Sequence, residues 1–186
     1  MISWDDLIGQ DRARHWFQAA LKQNRLSGSF LFVGPPGVGK RTVASLLTRT
    51  LLCPNAHPAD MAPCGQCEAC QQIAAGSHPD VVRVKKPENR VSIPIELLIG
   101  PPDARMQEGF CRDLRLRPQS GRRKVAILED ADFLGEESAN CLLKTLEEPP
   151  RDAVVILIVP ESNIAPGDFT LLHTGEVYIS QDRPSP

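Results

Sequence analysis

The chain has 186 residues, of which 41% are hydrophobic and 24% charged, and a net charge of −2. That length accommodates one well-buried domain with a small appendage, and the near balance of charge excludes a surface that coats nucleic acid through bulk positive charge. No run approaches the roughly 18 apolar residues that span a bilayer, and Met1-Ile2-Ser3-Trp4-Asp5-Asp6 lacks a signal peptide's basic and apolar regions. The expected compartment is therefore the cytoplasm, with no membrane partner, where six cysteines favour metal ligands or free thiols over disulfides.

Residues 11–24 place Ala13, Trp16, Phe17, Ala20 and Leu21 at helical spacing. Ser29-Phe30-Leu31-Phe32-Val33 reads as a buried strand and residues 41–52 as a helix. Between them, Gly34-Pro35-Pro36-Gly37-Val38-Gly39-Lys40-Arg41-Thr42 forms a glycine-rich strand-to-helix turn. Glycines let backbone N–H groups converge on phosphate oxygens, the helix N-terminus adds partial positive charge, and Lys40 reaches the outer phosphates of ATP or ADP. The residue after the lysine should carry a hydroxyl to hold Mg²⁺. Here it is Arg41, and Thr42 lies one position on, turned by roughly 100° about the helix. The candidate nucleotide ligands are thus Gly34, Gly37, Gly39, Lys40, Arg41 and Thr42, with Mg²⁺ chemistry impaired.

Residues 53–70 read as a Pro- and Cys-rich insertion without a core of its own. Cys53, Cys64, Cys67 and Cys70 follow the spacing C-x10-C-x2-C-x2-C. Four thiolates suit a structural Zn²⁺ ion and leave no open position for water. An iron–sulfur cluster takes similar ligands, and four free thiols are the plainer alternative. His57 and His78 are either substitute ligands or solvated loop residues, whereas Cys111 and Cys141 fall at apolar helical positions and read as core.

Val81-Val82-Arg83-Val84 reads as a short strand, 85–92 as a turn-rich connection and 104–116 as a helix. A continuous apolar strand follows over 124–128, then a helix over 138–148 and a β-branched strand over 153–159. Strands alternating with helices predict an α/β fold, a parallel sheet flanked by helices on both faces. Residues 163–186 show no assignable pattern. After the strand at 124–128 comes Glu129-Asp130, where ATPases with such a loop use one acid to hold Mg²⁺ and the next to polarise the attacking water. Their usual order is Asp then Glu. The longer Glu129 crowds a metal and the shorter Asp130 falls short of the water, so this degenerate pair is assigned no catalytic role. The basic run Arg112, Arg115, Arg117, Arg122, Arg123 and Lys124 is either a solvated face or a contact for phosphates or an acidic partner.

Taken together, Trp4-Asp5-Asp6-Leu7-Ile8-Gly9-Gln10, the glycine loop, the four-cysteine insertion and Ser138-Ala139-Asn140-Cys141-Leu142-Leu143-Lys144-Thr145-Leu146-Glu147-Glu148-Pro149-Pro150 resemble the bacterial DNA polymerase III clamp-loader subunits. The resemblance covers about residues 3–162. It implies an AAA+ core over 1–162 with a zinc-binding insertion at 53–70, and a divergent tail over 163–186. It also implies a hetero-oligomer with gamma/tau and delta subunits that opens the sliding clamp and places it on primed DNA. Gamma/tau subunits carry Lys-Thr in the loop and Asp-Glu after the strand. With Lys40-Arg41 and Glu129-Asp130, this sequence is more similar to delta-prime, which implies a bracing subunit with weak or absent ATPase activity. The family's Ser-Arg-Cys does not follow Glu161-Ser162-Asn163, and lid and collar segments are not found, so the resemblance implies a shortened form. Two further readings stand beside it. One is an active Mg²⁺-dependent ATPase of the same superfamily, a motor subunit or DNA-repair helper in which Thr42 holds the metal. The other is a zinc-dependent nucleic-acid module, against which the net charge and the scarcity of aromatics argue.

Overall fold

Apolar runs without polar alternation are stable as strands only where both faces of the sheet are covered. The computed structural model, which describes residues 2–23, 26–57, 60–120, 122–147, 149–160 and the backbone of 175–178, meets that condition. Its strands are β1 (Gly28–Gly34), β2 (Val81–Val84), β3 (Lys124–Glu129), β4 (Ala153–Pro160) and β5 (Gly175–Tyr178). All pair in parallel, in the order β2-β3-β4-β1-β5. The helices are α1 (Asp11–Lys22), α2 (Lys40–Leu52), α3 (Glu68–Ala75), α4 (Glu96–Ile99), α5 (Phe110–Arg115) and α6 (Glu136–Glu147), with a 3₁₀ turn at Ala131–Phe133.

The period of two along each strand sends successive side chains to opposite faces. Phe30, Phe32, Val125, Ile127, Val154 and Ile156 pack with Phe17, Val43 and Leu47 on one side. Leu31, Val33, Ala126, Leu128, Val155 and Leu157 pack with Phe110, Leu114, Leu142 and Leu146 on the other, where Cys111 and Cys141 also lie. Burial on two faces is what makes the runs unbroken. Residues 4–10 strap onto the first core: the Trp4 indole donates to the Thr50 hydroxyl at 3.4 Å, and the buried Gln10 amide donates to the Val38 carbonyl at 3.1 Å.

The helix expected over 104–116 is much shorter. Met106 (φ 62°) and Gly109 (φ 93°) are left-handed and interrupt the turn, so only α5 forms. A Cβ at Gly109 would lie 2.8 Å from the Gly100 nitrogen and 2.9 Å from the Leu98 carbonyl oxygen, a closure that only glycine permits. The tail expected to be unassignable lies outside the described residues except for β5, which pairs with β1.

Two further expectations are corrected at the start of β2. His78 is neither a cysteine-cluster ligand nor solvated. It is buried, its Nδ1 accepts the Asp80 N–H at 3.1 Å, and burial holds its pKa below the usual range. Lys124 does not belong to a basic surface, because it is 4% exposed and lies 3.9 Å from the fully buried Asp80 carboxylate. Elsewhere in the run Arg123 donates to the Leu26 carbonyl and Arg112 pairs with Asp113 at 3.4 Å, while Arg115, Arg117 and Arg122 are exposed.

Asp80 accepts the N–H groups of Gln119 at 2.7 Å and Ser120 at 2.8 Å, pinning the turn before β3. Burial raises its pKa, but the hydrogen bonds from Ser120 and Gln119, together with Lys124, outweigh burial and leave it lowered. Asp80→Asn should therefore cost about 2 kcal/mol in urea unfolding at neutral pH, because it orphans a buried ammonium and weakens two charge-assisted bonds. A lowered carboxylate pKa contributes stability above its unfolded value of about 4, lost as pH falls through the folded value. The gap between wild type and variant should accordingly narrow below about pH 4.

Candidate functional site

Strand β4 separates β1 from β3, so the C-terminal ends of those two strands stand about 10 Å apart at one edge of the sheet. The glycine loop leaves β1 there and the acidic pair leaves β3. A cavity of about 430 Å³ opens between them. Gly37, Gly39, Lys40, Arg41, Thr42 and Asp130 line it, joined by Asp132, Phe133 and Val159. Gly34 is not among the lining residues; its carbonyl accepts from Lys40 Nζ at 2.5 Å. The same ammonium donates to the Pro35 carbonyl at 2.9 Å, so Lys40 is folded back onto its own loop. Gly39 caps α2 at φ 97°, and a Cβ there would meet only Leu7 at 4.0 Å. Backbone conformation rather than crowding requires the glycine.

Arg41 bridges the two halves. Its Nε lies 2.7 Å from a Glu129 carboxylate oxygen and its Nη2 lies 3.2 Å from an Asp130 oxygen. A guanidinium carried by the chain itself thus engages both carboxylates of the acidic pair. Asp130 is left-handed (φ 57°) and caps the 3₁₀ turn, which delivers Asp132 and Phe133 to the cavity. The sequence reading missed Gln10 as the amide that holds the loop, and also Phe133, over which Lys86 Nζ stands at 5.0 Å. Gln10 belongs to the Trp4–Gln10 segment that carries part of the family resemblance. Phe133 gave no signal, since nothing local announces a single 3₁₀ turn after a strand.

The four cysteines converge independently of this cavity. Cys53 caps the C-terminus of α2, Gly65 turns the chain at φ 73°, and Cys67 caps α3. All four Sγ atoms lie within 4.8 Å of one another. Cys53 is 3.6 Å from Cys64 and 3.8 Å from Cys67, against the separation of about 3.8 Å that a tetrahedral site with Zn–S bonds of about 2.3 Å requires. Backbone N–H groups of Cys64, Cys67 and Cys70 point at the sulfurs of Cys53, Cys64 and Cys67 at 3.4–3.5 Å. Donors from Gln66, Asn55 and Cys67 lower the Cys64 pKa to about 6, whereas burial raises Cys67 and pushes Cys70 up to about 12. Four thiolates crowd here only if a cation offsets them, so the donor set and its spacing fit a metal ion. The insertion is not isolated either. Met61 within it and Ile73 just beyond it in α3 enter the main core, and the Thr50 hydroxyl donates to the Met61 carbonyl at 3.0 Å.

Residues 9–166 match the family model described as DNA polymerase III, delta subunit. The chain belongs to this family. Among curated members and relatives, it is 39% identical over 130 residues to DNA polymerase III subunit delta' of Pseudomonas aeruginosa, covering 70% of this chain and 36% of that protein. It is 33% identical over 163 residues to subunit tau of Bacillus subtilis (88% and 26%) and 31% identical over 161 residues to subunit delta' of the same species (86% and 45%). It thus spans less than half the length of each. Among solved structures, a DNA polymerase III gamma subunit-related protein of Thermotoga maritima superposes with a TM-score of 0.55 at 18% identity, over 89% of this chain and 45% of that one. A RuvB protein of Thermotoga maritima gives 0.51 at 16% identity, over 95% and 47%. Both likenesses show the fold, a parallel sheet with a glycine loop at one strand end. The helices described are also too short and polar to cross a membrane.

Proposed function

We propose that this member of the DNA polymerase III delta family is a non-catalytic clamp-loader subunit. It supports ATP-driven placement of a sliding clamp on primed DNA by bracing gamma/tau and delta partners. The observation that carries this reading is Arg41 held between Glu129 and Asp130. In an active site of this type Mg²⁺ supplies two positive charges between the outer phosphates and one carboxylate. Arg41 supplies one charge, fixed to the protein, and occupies the carboxylates that would hold the metal and polarise water. The loop N–H groups and Lys40, released from its own carbonyls, remain able to bind phosphate. Nucleotide then serves as a structural ligand. The four cysteines hold Zn²⁺, which clips the insertion at 53–70 to a core unit spanning 1–162.

Nucleotide titration followed by thermal shift tests this. A ligand at about 100 times its dissociation constant adds about 2.7 kcal/mol to the native state. Equal shifts with ATP in the presence and absence of Mg²⁺, abolished by Lys40→Met, are the expected result, with negligible phosphate release. Mg²⁺-dependent hydrolysis that Lys40→Ala removes would instead assign an active ATPase, with Thr42, which also lines the cavity, as the metal's hydroxyl ligand.

A further inference from the structure

Strand β2 lies at one end of the strand order and pairs on one side only, with β3. The Val125 N–H donates to the Asp80 carbonyl at 2.9 Å, so in this parallel ladder Asp80, Val82 and Val84 turn their backbone groups toward β3. The residues between them turn theirs outward. The Val81 N–H donates to the His78 carbonyl at 3.1 Å, whereas the Val81 carbonyl and both backbone groups of Arg83 have no partner among the described residues. Such an unpaired length of backbone is the form in which a sheet accepts another strand.

Side chains decide which strand. Val82 and Val84 pack on the second core and Val81 on the first, while Arg83 is exposed. Residues 81–95 carry Arg83, Lys85, Lys86 and Arg90 against Glu88 alone, in a chain whose net charge is −2. Exposed Arg115, at the end of α5, and Arg117 just beyond it add the same sign, since α5 packs beside β2. Among the described residues no carboxylate pairs with Arg83, Lys85, Arg90, Arg115 or Arg117. Lys86 donates to the Arg90 carbonyl at 3.0 Å and stands over Phe133, which fixes the loop after β2. A second copy of this strand would set Arg83 near Arg83, which like charge disfavours. A nucleic acid would meet the cations, but residues 81–95 hold no aromatic side chain for its bases, and its phosphates cannot donate to the outward carbonyls. An extended acidic peptide satisfies both the backbone groups and the cations. We propose that the outer side of β2 is a docking site for an extended acidic segment of a partner protein. The segment adds as a further strand and sets its carboxylates against Arg83, Lys85 and Arg90.

The test titrates the full chain with short labelled peptides: one alternating Glu and Val, one alternating Lys and Val, and the acidic peptide with every backbone nitrogen methylated. Fluorescence anisotropy should show saturable binding of the unmethylated acidic peptide, weakened at least tenfold by Arg83→Glu, about threefold by Lys85→Gln, and progressively by added salt. The other two peptides should bind at least tenfold more weakly, because one repels the cations and the other cannot donate to the strand. Amide hydrogen exchange gives a readout that needs no variant. At saturation the Arg83 N–H should exchange at least tenfold more slowly, whereas the Val82 and Val84 N–H groups, already turned to β3, should change little. An Arg83 amide whose exchange is unchanged, a methylated peptide that binds as tightly as its parent, or no binding of the acidic peptide would each overturn the proposal. A single-stranded oligothymidylate that outcompetes the acidic peptide and loses affinity in Arg83→Glu would assign the surface to nucleic acid instead.

Discussion

Removing metal with a chelator at neutral pH should lower the Tm of this protein by about 10 °C or more, and Zn²⁺ should restore it. The physical ground is the mutual proximity of four sulfurs, all within 4.8 Å. Without a cation, Cys67 and Cys70 are driven toward the thiol by burial and Cys64 toward the thiolate by N–H donors, so the cluster is electrostatically mixed and its geometry loses its reason. Structural zinc contributes about 10–16 kcal/mol in small zinc-finger peptides. The insertion is also held by Met61 within it and Ile73 just beyond it, so the loss here should be smaller but still several kcal/mol, at about 2–4 °C per kcal/mol for a domain of this size. It should spread to α2, because Cys53 ends that helix and Thr50 ties it to Met61. Metal binding expels protons from Cys67 and Cys70, so affinity should fall as pH falls. Cys64→Ser should reproduce the chelator's effect. A chain that carries no metal in native mass spectrometry and melts identically with and without chelator would refute the assignment.

Arg41→Thr should make nucleotide binding depend on Mg²⁺, tightening it about 10- to 100-fold when the metal is added, where the wild type shows no dependence. The substitution places a hydroxyl at the helix start and frees Glu129 and Asp130, of which Asp130 lines the cavity, as two uncompensated carboxylates. Mg²⁺ demands near-octahedral oxygen ligands, and these are the groups that supply them. Hydrolysis should remain weak in this variant, because Glu still precedes Asp. Adding Glu129→Asp and Asp130→Glu should raise phosphate release well above that of the single variant. Isothermal titration with and without Mg²⁺ and a phosphate-release assay give both answers. Wild-type binding that already tightens with Mg²⁺ as much as the variant's would sink the account of Arg41 as the resident cation.

Much of this was legible along the chain. The unbroken runs in β1, β3 and β4 declare strands covered on both faces, since no polar alternation is left for solvent. The glycine loop and the cysteine spacing are readable because their chemistry is local: a turn that needs positive φ, and a knuckle whose ligands sit three residues apart. The helix over 104–116 misled because apolar spacing does not reveal that Gly109 must pack against Gly100 and Leu98. Lys124 and His78 misled because polar residues read as surface until a buried partner such as Asp80 appears.

The amino-acid sequence alone determined the α/β class, the glycine-rich strand-to-helix loop, the spacing of four thiols and the departure at Arg41, each readable from residues near one another in the chain. Tertiary structure decided what that departure means. Arg41 and Asp130 are 89 positions apart, and only the insertion of β4 between β1 and β3 sets their strand ends at a distance that one arginine side chain can bridge. It likewise decided that Arg83, in sequence one cation among many, stands on the outer strand of the sheet with its backbone groups turned away from β3. Both depend on which segments the sheet order brings together, and no local pattern encodes that.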